Sequence, residues 1–198
     1  MDNLSIYVMP VYRREGDERS FAGTAFCVEG YLVTAGHVLD ADKRCYARTA
    51  GGRYYPLDYD RWLPRQLPAA DRTGYDLAFY PVEGLHSPLV IADVNAGRND
   101  SLDIVCYQWN GERAYRVDTS CIAGDVNDEG YQTIITADRI THGSSGCPVM
   151  SGNVVHGILT NGRDHVETTG MAPLRQRMEH NTCLMFTAEY IRRFMPLL

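Results

Sequence analysis

The chain has 198 residues, 44% of them hydrophobic and 22% charged, enough for one substantial core or two small ones sharing an interface and too few for two ordinary independent domains. Its formal charge of -6 and pI near 5.5 argue against a surface built to neutralise phosphates, which needs clustered Lys and Arg, so no nucleic-acid partner is expected. No apolar run approaches the roughly 18 to 20 residues that cross a bilayer. The opening Met1-Asp2-Asn3-Leu4 carries an acid where an export leader needs positive charge, so the expectation is a cytoplasmic protein without membrane contact.

Short β-branched and aromatic segments between turn signals follow one another along the chain: 5–12, 21–28, 31–35, 53–58 and 76–82, then 102–108, 115–122, 131–136, 148–151, 154–160 and 182–186. This spacing predicts an all-β protein, a barrel or sandwich rather than βαβ units. The segment 57–73, with Pro64 and Pro68, has no clean period and reads as a long surface loop. One helical pattern stands near the end, where Thr187 can cap residues 188–195 before Pro196 stops them.

Cys27, Cys45, Cys106, Cys121, Cys147 and Cys183 show no CxxC or Cys/His pairing at metal-ligand spacing, and they read as reduced, buried small side chains. The histidines at 86, 142, 156, 165 and 180 form no HExxH pattern. No metal and no cofactor are implied.

Three segments carry reactive groups. Thr34-Ala35-Gly36-His37 ends a hairpin-like pair of strands, its small residues letting the chain turn while the imidazole faces a cleft. Gly74-Tyr75-Asp76-Leu77-Ala78-Phe79 opens an apolar strand with a carboxylate, which burial makes costly unless it is paired. Gly143-Ser144-Ser145-Gly146 flanks a serine with glycines, permitting a tight loop whose backbone N–H groups can converge on an oxyanion.

In this order, His37, Asp76 and Ser145, the segments resemble the chymotrypsin-like proteases (trypsin fold, PA clan), in which the histidine follows Thr-Ala-(Ala/Gly) and the nucleophile sits in Gly-x-Ser-Gly-x-Pro. The resemblance implies two six-stranded antiparallel β-barrels with a short C-terminal helix, residues 1–85 forming approximately the first barrel and 86–198 the second. It implies Ser145 as nucleophile, His37 as general base, Asp76 as its orienting acid, and the N–H groups of Gly143 and Ser145 as the oxyanion hole. Val155-His156-Gly157-Ile158-Leu159-Thr160-Asn161-Gly162 resembles the family strand that pairs with the substrate backbone, giving Thr160, Asn161 and Gly162 a binding role and making a protein or peptide the expected substrate.

The chain departs from trypsin at informative places. Ser144 stands where trypsin has the aspartate that pairs with a newly cleaved N-terminus, so no such activation is expected. Val38 and Ala22 replace a disulfide pair, and Cys147 replaces a common glycine as a packed side chain. Arg139 occupies the place of the aspartate that selects basic residues, with His142 at the pocket mouth. The arginine disfavours trypsin-like cleavage by like-charge repulsion, and if Arg139 and His142 both face the pocket, acidic or amide side chains are favoured before the scissile bond. The expected setting is an intracellular bacterial or phage serine endopeptidase, one open to triggering by an activating protein partner of unknown identity. The competing readings are a viral-type polyprotein-processing protease and a latent pseudoprotease that binds without turnover.

Overall fold

The computed structural model describes residues 5–58, 76–128, 130–161 and 181–195. After a single 3-10 turn at Ser5–Tyr7, strands β1 (Val8–Glu15), β2 (Glu18–Val28), β3 (Tyr31–Ala35), β4 (Arg44–Arg48), β5 (Tyr54–Pro56) and β6 (Leu77–Pro81) form one sheet in the order β5-β4-β1-β2-β3-β6. β7 (Val90–Ile91), β8 (Ser101–Trp109), β9 (Ala114–Val126), β10 (Tyr131–Thr136), β11 (Pro148–Ser151), β12 (Val154–Asn161) and β13 (Thr182–Thr187) form the other. The chain ends in helix α1 (Ala188–Phe194).

The second sheet closes on itself, because β11 pairs with both β8 and β12, which makes a six-stranded antiparallel barrel. The two-residue β7 adds to β12 in parallel, Val90 beside Val154 and Ile91 beside Val155, a pairing the sequence pattern did not foreshadow. The first six strands curl into a half-barrel, with no pairing between β5 and β6 among the described residues. The fold is thus the expected all-β pair of six-stranded units with a terminal helix. Most of the segment 57–73 lies outside the described residues; Leu57 is buried.

Strands form where apolar side chains alternate or run continuously. β3 is buried at all five positions and sits between β2 and β6, so it reads as an unbroken apolar run. β4 escaped the sequence reading because Arg44, Tyr46 and Arg48 take its outward positions, leaving only Cys45 and Ala47 to mark the inner face. The barrel core contains Leu102, Ile104, Ile134, Val149, Leu159 and Met185 together with Cys106, Cys121, Cys147 and Cys183. A larger cluster runs from Val8, Phe26, Leu32 and Phe79 in the half-barrel to Ile158, Phe186 and Ile191, and so joins the two units and the helix.

Helix α1 begins as its sequence dictates, with the Thr187 hydroxyl accepting the Tyr190 N–H. Tyr190 stacks on Phe186, with ring centroids 4.6 Å apart. Arg192 donates to the Ala92 carbonyl at 2.9 Å and to the Ile91 carbonyl, and it pairs with Asp93 at 3.2 Å, fastening the helix beside β7.

Candidate active site

The register of β3 against β6 builds the first half of the site. Ala35 lies opposite Leu77, so the next residues outward, Gly36 and Asp76, meet at the strand ends, and the Gly36 N–H donates to the Asp76 carbonyl at 3.0 Å. The chain then turns through a short 3-10 segment, Gly36–Val38, which delivers His37 onto the Asp76 side chain. One carboxylate oxygen accepts the His37 backbone N–H at 2.7 Å, and the other lies 2.6 Å from ring Nδ1. The aspartate therefore grips both backbone and ring. With Nδ1–H directed at the carboxylate, Nε2 is the basic nitrogen. Arg13 steadies the same turn from β1, donating to the carbonyls of His37 and Val38 at 2.9 Å each.

The second half is the loop from Thr141 to Cys147. The Ser144 N–H donates to the Thr141 carbonyl at 3.4 Å, and the Ser144 hydroxyl reinforces that turn at 2.7 Å. Gly143, third in the turn, has φ +102, whereas His142 has no positive φ, which defines a type II turn that glycine favours. A Cβ on Gly143 would stand 2.0 Å from Phe21 Cε1. Gly146, at φ +88, would bring a Cβ within 2.2 Å of the Thr24 carbonyl oxygen and 2.9 Å of Ala35 N. The two glycines thus let the serine loop lie against β2 and against the strand that leads into His37.

Ser145 is held from both sides. Its carbonyl accepts the Thr24 N–H at 2.9 Å, while the next residue, Gly146, donates its N–H to the Leu159 carbonyl at 2.7 Å. Its hydroxyl donates to the Thr160 carbonyl at 3.0 Å. That carbonyl is available because β12 bulges against β13: Leu159 faces Met185 and Asn161 faces Leu184, leaving Thr160 as the extra residue. A hydroxyl has one proton, so the rotamer that donates to Thr160 does not donate to His37.

Thr24, wholly buried on β2, is a site residue the sequence reading missed. Its hydroxyl donates to the Gly143 carbonyl at 2.9 Å and accepts the Tyr107 N–H from β8 at 3.0 Å. With its own N–H on the Ser145 carbonyl, it ties half-barrel, barrel and serine loop at one point. The available signal was a hydroxyl inside an otherwise apolar strand, whose partners are fixed only by the tertiary fold. Thr141 adds a second tie, its hydroxyl donating to Gln108 Oε1 at 2.8 Å.

Arg139 and His142 are exposed on the approach to this loop, and neither has a polar partner among the described residues. Asn161 closes β12; Gly162 lies outside the described residues. Cys147 is fully buried at the end of the serine loop, and burial, then the neighbouring Cys106 thiol, push its pKa well above the ordinary thiol range. All six cysteines are free and buried. Among the described residues no group of His, Cys, Asp and Glu could hold a metal ion, and no helix is long and apolar enough to cross a membrane.

By sequence, no protein-family model and no curated protein matches the chain. By structure, it resembles the serine endoprotease of Yersinia pestis with a TM-score of 0.69 at 16% identity, over 98% of this chain and 63% of that one. It resembles the active form of the Rv3671c protease of M. tuberculosis with a TM-score of 0.63 at 16% identity, over 98% of this chain and 81% of that one. The protease of tobacco vein mottling virus follows with a TM-score of 0.62 at 10% identity, over 98% and 83%. The chain thus has the chymotrypsin-like protease fold. It spans less than two thirds of the length of the Yersinia protein.

Proposed function

We propose that the protein is a serine endopeptidase in which Ser145 attacks the peptide carbonyl, His37 moves the proton and Asp76 orients His37. The observation that carries this reading is the double grip of Asp76 on His37, 2.7 Å to the backbone N–H and 2.6 Å to Nδ1. It selects the tautomer a general base requires and stabilises the imidazolium that forms.

The reaction begins with the Ser145 hydroxyl leaving the Thr160 carbonyl and turning to His37 Nε2. As Oγ bonds to the substrate carbonyl carbon, its proton passes to Nε2, and the developing oxyanion is received by the N–H groups of Gly143 and Ser145. The imidazolium protonates the departing amine, leaving an acyl-enzyme on Ser145. A water then gives its proton to Nε2, attacks the ester and frees Ser145. The type II turn at Gly143, its carbonyl anchored on Thr24, supports a preformed hole.

Substrate would lie along the end of β12, with Thr160, Asn161 and Gly162 offering backbone groups. Arg139 and His142 would favour acidic or amide side chains before the scissile bond. The setting we favour is an intracellular bacterial or phage protease. The likeness to a plant-virus protease keeps polyprotein processing as the second reading. Cleavage of a diverse peptide library by wild type and not by Ser145→Ala is the expected result. A profile of large apolar residues alone before the cut would remove the acidic preference, and equal cleavage by both proteins would remove the mechanism.

A further inference from the structure

The outer face of the half-barrel carries a patch that the proposed triad chemistry does not use. Residues opposite one another across paired strands share a face, so the pairs Tyr12–Phe21, Tyr12–Tyr46, Arg14–Arg19, Arg14–Arg44 and Arg48–Tyr54 all project to one side. That side presents Arg14, Arg19, Arg44 and Arg48 with no carboxylate among the paired residues, on a chain whose net charge is -6. Arg14 pairs with Asp17 of the β1–β2 turn at 3.7 Å. Among the described residues Arg19, Arg44 and Arg48 have no ion-pair partner, and Arg48 Nε is buried without a hydrogen bond.

Beneath the arginines runs a row of rings. Tyr54 meets Tyr46 at 5.1 Å, Tyr46 meets Tyr12 at 5.7 Å, Tyr12 meets Phe21 at 5.9 Å, and Phe21 meets Trp109 of the second barrel at 6.1 Å. The row passes the site at Phe21, whose ring is what a Cβ on Gly143 would strike. Tyr54 and Trp109 are each about half exposed. Arg19 lies 4.8 Å over the Tyr12 ring and Arg48 5.6 Å over that of Tyr54, so both guanidinium groups rest against the row.

We propose that this face docks an acidic, aromatic-bearing segment of the protein substrate on the leaving-group side of the scissile bond. The inference rests on the endopeptidase reading: if substrate before the bond follows β12, the chain beyond it crosses the serine loop toward Phe21. Guanidinium groups with no ion-pair partner select carboxylates, and the half-exposed rings of Tyr54 and Trp109 at the two ends of the row select apolar or aromatic side chains. Nucleic acid fits less well. Tyr12 stacks on Tyr46 and Phe21 on Trp109, and arginines lie over the Tyr12 and Tyr54 rings, so much of the ring surface that would stack on bases is already engaged, and the chain as a whole is negative.

The test is fluorescence anisotropy on the Ser145→Ala protein, with a labelled peptide of glutamates interleaved with tyrosines as probe. Its glutamine counterpart and a labelled oligothymidylate serve as comparisons. The glutamate peptide is expected to bind in a salt-sensitive way, and about tenfold more tightly than the glutamine peptide. The double variant Arg19→Gln/Arg48→Gln should lose about tenfold in affinity. Made in the wild-type background, it should label with fluorophosphonate at an unchanged rate and melt at an unchanged temperature. Equal affinity for both peptides, unaltered binding by the double variant, or absence of binding would overturn the proposal; tighter binding of the oligonucleotide would assign the face to nucleic acid instead. Because binding is read on a protein without its nucleophile and labelling is read separately, failure of the docking face and failure of the peptidase reading give different results.

Discussion

Replacing Thr24 by valine keeps shape and burial while removing one hydroxyl, and the structure fixes what is lost. The Gly143 carbonyl loses its donor at 2.9 Å and the Tyr107 N–H loses its acceptor at 3.0 Å, both at a residue with no solvent exposure. Two backbone groups stripped of buried partners cost roughly 1 to 3 kcal/mol each, so a destabilisation of about 2 to 6 kcal/mol is expected in chemical denaturation. The loop suffers in a second way. With its carbonyl released, Gly143 can reorient, and the loss of one oxyanion donor costs about 2.7 to 4 kcal/mol of transition-state stabilisation, or 10²- to 10³-fold in turnover. Thr24→Ser retains both hydrogen bonds and should keep labelling near the wild-type rate at the cost of one methyl group. Fluorophosphonate labelling rates, taken where each variant is fully folded, separate the two effects. If Thr24→Val labels and unfolds like wild type, Thr24 does not organise the oxyanion loop.

Other consequences are equally open to measurement. Gly143→Ala forces a Cβ to 2.0 Å from Phe21 Cε1 at φ +102, so turnover should fall by about 100-fold or more while circular dichroism shows the sheets intact. Asp76→Asn should reduce peptide cleavage by about four orders of magnitude at neutral pH with little change in melting temperature, because it misassigns the His37 tautomer. Burial holds the His156 pKa below its usual 6.5, against a smaller opposing pull from Asp100. Folding therefore favours the neutral ring, the associated stability is full above pH 6.5 and declines below it, and His156→Gln should flatten the fall in melting temperature on acidification. Burial pushes the thiols of Cys27 up to about 11 and of Cys121 and Cys183 up to about 12. Native protein should resist iodoacetamide at pH 8 and take up six equivalents once unfolded, and stability should decline as the pH rises above about 9, where unfolded thiols ionise first.

The sequence showed most clearly what depends on local pattern. β3, β10 and β11 occur at the residues that turn signals and apolar runs marked, and Thr187 caps α1 as its position suggests. β4 and β7 stayed hidden for opposite reasons: outward arginines masked the alternation in β4, and two residues in β7 are too few to show any period. His37, Asp76 and Ser145 stood out because each is a reactive group in an unusual local setting. What organises them did not stand out. Thr24 finds its Gly143 partner 119 residues away, Arg13 reaches carbonyls 24 and 25 residues on, and the Thr160 carbonyl faces Ser145 only because β12 bulges against β13. Such contacts are products of tertiary closure, with no short-range signature. The arginine and aromatic face was invisible for the same reason, since its members come from five strands and align only through register and, for Trp109, packing between the two sheets.

The most direct measurement is the site of covalent modification by a fluorophosphonate, located by tandem mass spectrometry in wild type and in His37→Ala. A single adduct on Ser145, formed far more slowly without His37, is the predicted result. No adduct on the folded wild-type protein, or one at another residue, would contradict the account.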